Sequence, residues 1–179
     1  MTRSRPDLEA DGWAFALHLY AGPGVADACL RLQDEAGVDV MMLLMIVFAG
    51  VRHRVLLTAS EIRELDEVCR PWREQIVHPL RAIRTRLKSG PSPAPNSATE
   101  PFRSTIKAAE LAAERLQNQL LAEHLPLGAP EREEVTSHDL RSVLRSAVSS
   151  ALEKRPGKQL SELQPAIDTI VDAAMQETH

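Results

Sequence analysis

The stretch VMMLLMIVFAGV, Val40 to Val51, is the longest apolar run in the chain and ends on Arg52, His53 and Arg54. Twelve residues fall short of the roughly 20 that a helix needs to cross a bilayer. A run this short and apolar nearly all round predicts a buried helix at the centre of a core, with neighbours on several sides. Asp39 stands where its carboxylate can accept from the free N–H groups of that helix's first turn.

Working outward, Gly37 marks the C-terminal stop of a preceding helix that runs to Ala36, with Val25, Cys29 and Leu32 on one stripe. Gly22-Pro23-Gly24 separates it from a first helix over Leu8 to Tyr20, where Trp13, Ala14, Leu17 and Tyr20 recur at helical steps. On the other side, Thr58-Ala-Ser-Glu61 has the form of a capping box. A long apolar series follows: Ile62, Leu65, Val68, Trp72, Ile76, Leu80, Ile83 and Leu87. Pro71 and Pro79 lie inside it, so a kink or break is expected at one or both.

Residues 89–101, SGPSPAPNSATEP, hold four prolines and no large apolar side chain, the composition of a disordered, Pro/Ser-rich internal linker. Thr105 to His124 then reads as a helix with Ile106, Ala109, Ala113, Leu116 and Leu120 on one face. Two amphipathic stretches close the chain, Ser137 to Glu153 and Ser161 to Gln176. The sum is an all-α, compact helical bundle of about six or seven helices. We divide it into a helical core domain, 8–124, and a C-terminal helical pair, 131–179. Aromatics at 3% of 179 residues agree with helix rather than sheet.

Residues 1–88 carry 12 Lys/Arg and 12 Asp/Glu, leaving 9 and 13 for residues 89–179 and a net charge of −4. That balance argues against nucleic acid as the partner, because phosphate binding needs clustered positive charge. The N-terminus lacks the apolar segment of a signal peptide, so a cytoplasmic location is expected. Cys29 and Cys69 both fall in helical segments and are expected to be free, buried thiols.

No GxSxG, P-loop, GxGxxG or HExxH motif occurs. The six histidines, His18, His53, His78, His124, His138 and His179, never repeat at the spacing that aligns two imidazoles on one helical face. We therefore expect neither a metal nor a cofactor.

Three groups of residues remain as site candidates. Gln33, Asp34 and Asp39 meet at the turn between the second and third helices, either as a small polar site or simply as caps. Arg73, Arg81, Arg84 and Lys88 lie on a stretch with no acid between Glu74 and the linker. They suit an anion or an acidic partner surface, unless Glu110 and Glu114 of the next helix neutralise them. Trp13, Tyr20, Phe48 and Trp72 can line an apolar pocket, or can be core.

The strings WAFALHLYAGPGV (Trp13 to Val25), ACLRLQD (Ala28 to Asp34), GVDV (Gly37 to Val40) and Leu43-Leu44 resemble the opening of a family of small uncharacterised proteobacterial proteins. Pro71-Trp72-Arg73, Pro79-Leu80-Arg81, Arg84, Leu87-Lys88, IKAAEL (Ile106 to Leu111) and Ala113-Glu114-Arg115 extend the likeness to about residue 121. The resemblance implies a helical, cytoplasmic bacterial protein containing a domain of unknown function, and no activity. Met41-Met42 stand where a polar residue is common in the family, which weakens a polar site at Asp39.

The leading expectation is a non-enzymatic interaction module that binds a protein partner through the basic face. Self-association stays open. The alternative is a helical pocket for an apolar or anionic metabolite, in which Gln33 or Arg73 orients the ligand. The third reading is an enzyme with Asp34 or Asp39 as general base.

Overall fold

A computed structural model describes residues 5–130, 132–155 and 157–177. The domain boundary at Glu131 and the histidine at 179 lie outside the described residues, as does Pro156. The elements are α1 (Arg5–Tyr20), α2 (Val25–Ala36), α3 (Val40–His53), α4 (Ala59–Trp72), a π-helical turn (Arg73–Val77), α5 (His78–Arg86), α6 (Thr99–His124), α7 (Ser137–Lys154) and α8 (Leu160–Gln176). Since α4, the π turn and α5 form one continuous rod, the bundle has seven helices and no strand among the described residues. None is long and apolar enough to cross a membrane.

Local chemistry sets the boundaries. Gly37 closes α2 at φ 70°, a left-handed conformation that favours glycine, with its N–H on the Gln33 and Leu32 carbonyls. Two residues later Asp39 caps α3, its Oδ1 accepting from the Met42 N–H at 3.0 Å. Thr58 and Glu61 form the capping box of α4, and Thr136 and Asp139 form a second at α7.

Every residue of α3 from Met42 to Gly50 is buried. Around it pack α1, α6, α7 and α8. Leu140, Leu144 and Val148 of α7 and Leu163, Ile167 and Ile170 of α8 are wholly buried in the same core cluster. At Gly50 a Cβ would stand 3.2 Å from Leu140 Cδ1, so the missing side chain lets α3 and α7 approach.

The two prolines do not break the rod. Each lacks the N–H that an α-helix would direct to the carbonyl four residues back, and the segment between them widens, with the His78 N–H bonding the Arg73 carbonyl five residues back. A π turn holds more residues than an α turn, and each added residue rotates the face that follows by about 100°. The apolar stripe read from the sequence is therefore turned outward, leaving Ile76 38% and Ile83 45% exposed. Arg81 and Arg84 face α6 instead.

Helix α6 starts at Thr99, six residues before the expected Thr105. The Asn96 side-chain oxygen accepts from the Ala98 and Thr99 N–H groups at 2.8 Å each, so the end of the 89–101 segment is a capped helix start. Pro101 sits in its first turn, where no N–H is needed. The inner face of α6 also differs from expectation. It carries Glu110, Ala113, Gln117, Asn118 and Leu121, while Leu116 is 53% exposed.

Candidate functional site

Helices α1, α2, α5 and α6 and the α2–α3 turn enclose a cleft of about 490 Å³. Its floor is a paired set of charges. Asp39 Oδ2 accepts from Arg73 Nη1 at 2.8 Å and from Gln117 Nε2 at 2.5 Å. Arg73 Nη2 reaches Asp66 Oδ1 at 2.8 Å, and Asp66 Oδ2 takes Lys154 Nζ at 2.5 Å. Beside this chain, Arg81 donates to Glu110 at 2.9 Å, to Gln33 Oε1 at 2.8 Å and to Glu114 Oε1 at 2.6 Å. Arg84 Nε pairs with the other oxygen of Glu110. Charged hydrogen bonds of this kind are strong, and a network that satisfies each member is rigid.

The rim is apolar. Leu17 of α1, Leu30 of α2 and Leu111 of α6 converge there at 51%, 45% and 52% exposure. Trp13 and Tyr20, both half-buried, extend the wall along α1. The α1 stripe is thus offset from the sequence reading: Phe15, Ala16 and Leu19 enter the core, and Leu17 faces the cleft.

Of the candidates named from sequence, Trp13, Tyr20, Gln33, Asp39, Arg73, Arg81 and Arg84 all line this one cleft. Phe48 does not, being 1% exposed in the core with its ring 5.5 Å from that of Phe15. Trp72 turns toward α6 and donates Nε1–H to the Ala113 carbonyl at 2.9 Å. Asp34 is exposed outside the cleft, and its carbonyl rather than its carboxylate is engaged, by Arg155. Lys88 is exposed at the far end of the rod.

The expectation of one exposed basic face is corrected. Side chains of Arg73, Arg81 and Arg84 are 12%, 26% and 21% exposed because the buried acids Asp39 at the α3 cap, Asp66 of α4 and Glu110 of α6 draw them inward. Asp39 already accepts three hydrogen bonds, which suits a positioning and capping group better than a general base.

Burial alone would raise the carboxyl pKa values of Asp66 and Glu110. It is outweighed by Lys154 and Arg73 at Asp66, and by Arg84 and Arg81 at Glu110, so both are held below the usual carboxylate range. Glu114 goes the other way: burial, aided by the charge of Glu110, raises it despite Arg81. Burial, then Arg81 and Arg73, lowers His78, which is therefore neutral at pH 7. Burial pushes the Cys29 and Cys69 thiols up to about 12, leaving both unreactive.

The depressed pair predicts acid sensitivity. A group whose folded pKa is below its unfolded value stabilises the fold above the unfolded value and loses that contribution as pH falls through the folded one. Unfolding free energy from urea titrations should fall steeply below about pH 4. Glu114 has the opposite sign and softens the upper part of the decline. A flat profile from pH 6 to pH 3 would show that Asp66 and Glu110 are not paired as described.

No three or more His, Cys, Asp and Glu side chains gather to hold a metal among the described residues. Sequence reasoning missed Gln117, His78, Leu30, Leu111 and Arg155 as lining residues. Gln117 and Leu111 had a usable signal, since they recur with Glu110 and Glu114 at the three- and four-residue steps of one helix. Arg155, some 120 residues from Gln33 and Asp34, had none.

Fold and site together define an all-α protein with an amphipathic cleft between its N-terminal helices and α6. Residues 11–121 match a family described as a protein of unknown function, DUF2390, and the chain belongs to it. No curated protein and no solved structure matches the chain.

Proposed function

We propose that the cleft binds an amphipathic small molecule and that the protein works as a ligand-binding helical protein rather than as an enzyme. One observation carries this reading: three large leucines from three different helices stay about half exposed at the mouth of a cavity whose floor is charged. Ligand pockets combine such apolar lining with a few polar groups that orient the ligand, and an exposed apolar cluster at a concavity marks a binding surface. The polar floor is rigid before any ligand arrives, so little ordering is lost on binding. A reducing bacterial cytoplasm suits the two buried, unpaired thiols.

A protein partner, or a second copy of the chain, has a smaller claim on α5. Arg86 at its end and Lys88 just beyond it are exposed, as is Ile83, and no acid among the described residues engages either cation.

Native mass spectrometry of protein purified from its own cell tests the cleft. The wild type should retain a small mass that the Leu17→Asp/Leu30→Asp double variant loses. Both leucines are about half exposed, so the variant should stay folded and lose about 1 kcal/mol per site. If wild type retains nothing and no small metabolite in a panel raises its Tm, the reading is wrong.

A further inference from the structure

Charge bookkeeping in the cleft leaves one side chain over. Arg73 is matched by Asp39 and Asp66, Arg81 by Glu110 and Glu114, and Arg84 by Glu110. Arg155, at the C-terminal end of α7, is the lining cation that no carboxylate engages among the described residues. Among the described residues its Nη1 makes only two long bonds, 3.4 Å to the Gln33 carbonyl and 3.3 Å to that of Asp34. Those carbonyls end α2, and Gly37 leaves room for the arginine, since a Cβ there would stand 3.3 Å from its Cδ.

Arg155 also borders a second cavity of about 330 Å³, which shares Gly37, Val38, Asp39, Arg73 and His78 with the first. Arg155 therefore borders both hollows with donors unspent, and shares the first with the three rim leucines and with His78. A planar guanidinium in that position binds a carboxylate or phosphate oxygen pair well.

We infer that Arg155 is the counter-ion of the ligand, and hence that the ligand is an amphipathic monoanion whose apolar body lies against the leucine rim. This rests on the cleft being a ligand site, as proposed above. It has an architectural consequence. The family-matched segment, 11–121, supplies the rim and all of the floor except Lys154, and the helical pair beyond it supplies the group that selects charge.

Three probes of one shape separate the claims: 3-phenylpropanoate, 3-phenyl-1-propanol and 3-phenylpropylamine, titrated by calorimetry or NMR into the full-length protein. The carboxylate should bind tightest. Arg155→Gln should weaken it about tenfold while leaving the alcohol unchanged, and Arg155→Lys should restore part of the loss. A purely structural role for Arg155 at the end of α2 would instead move all three probes together.

Tighter binding of the amine or the alcohol than of the carboxylate by the wild type would overturn the inference while leaving the cleft a binding site. So would equal losses for acid and alcohol in Arg155→Gln. Failure of all three probes would overturn the cleft's role itself, and the assignment of Arg155 with it.

Discussion

Arg73→Met is expected to lower the unfolding free energy by about 3–5 kcal/mol at pH 7, the cost of removing one partner from a buried ion pair. Arg73 is 12% exposed and joins Asp39, 6% exposed, to Asp66. Without it Asp39 keeps only the Gln117 amide and the Met42 N–H, neither of which carries a charge. Asp66 keeps Lys154, whose side chain is half exposed and screened by solvent. The deficit should shrink as pH falls through the range in which Asp66 is protonated, because a protonated carboxyl no longer needs the guanidinium. Urea titrations of wild type and variant at pH 7 and pH 4 provide the check. A loss below about 1 kcal/mol at pH 7 would show that the Asp39–Arg73–Asp66 chain does not lie in the interior.

That chain marks the limit of what the sequence disclosed. The bundle itself was legible, because its signals are local. The apolar run from Val40, the cap at Asp39, the box at Thr58 and the stop at Gly37 each act over one helical turn, and each appears in the structure. What failed was the facing of α5 and α6. Periodicity assigns a face on the premise of 3.6 residues per turn throughout, and the π turn between Pro71 and Pro79 breaks that premise midway. Ile83 then turns outward and Arg81 inward.

Helix α6 differs for another reason, its inner face being polar at Glu110, Gln117 and Asn118. A buried acid looks like a surface acid in sequence unless its partner is known, and here the partner sits on another helix. Glu110 and Glu114 could be named as candidate neutralisers from the lack of acids near the arginines. That they hold those arginines inside a cleft is a fact of packing. Arg155 is the extreme case, joined to the α2 carbonyls only by the return of the C-terminal pair over α2.

Phe48→Ala is expected to cost about 3–5 kcal/mol, the range for deleting a buried phenylalanine ring. The ring is 1% exposed on α3, packed at 5.5 Å against Phe15 and edge-on at 4.9 Å to His53. Aromatic pairs of this geometry add about 0.5–1.5 kcal/mol beyond area burial. The void cannot close readily, since the neighbouring α3 residues are themselves buried against α1, α6, α7 and α8. Tyr20→Ala offers the contrast: half-buried at the cleft wall, it should cost less stability and more ligand affinity. Thermal and urea unfolding, with probe titration on both variants, separate the two roles. Were Phe48→Ala to lose the probe at unchanged stability, Phe48 would belong to the cleft and α3 would not be the centre around which the other helices pack.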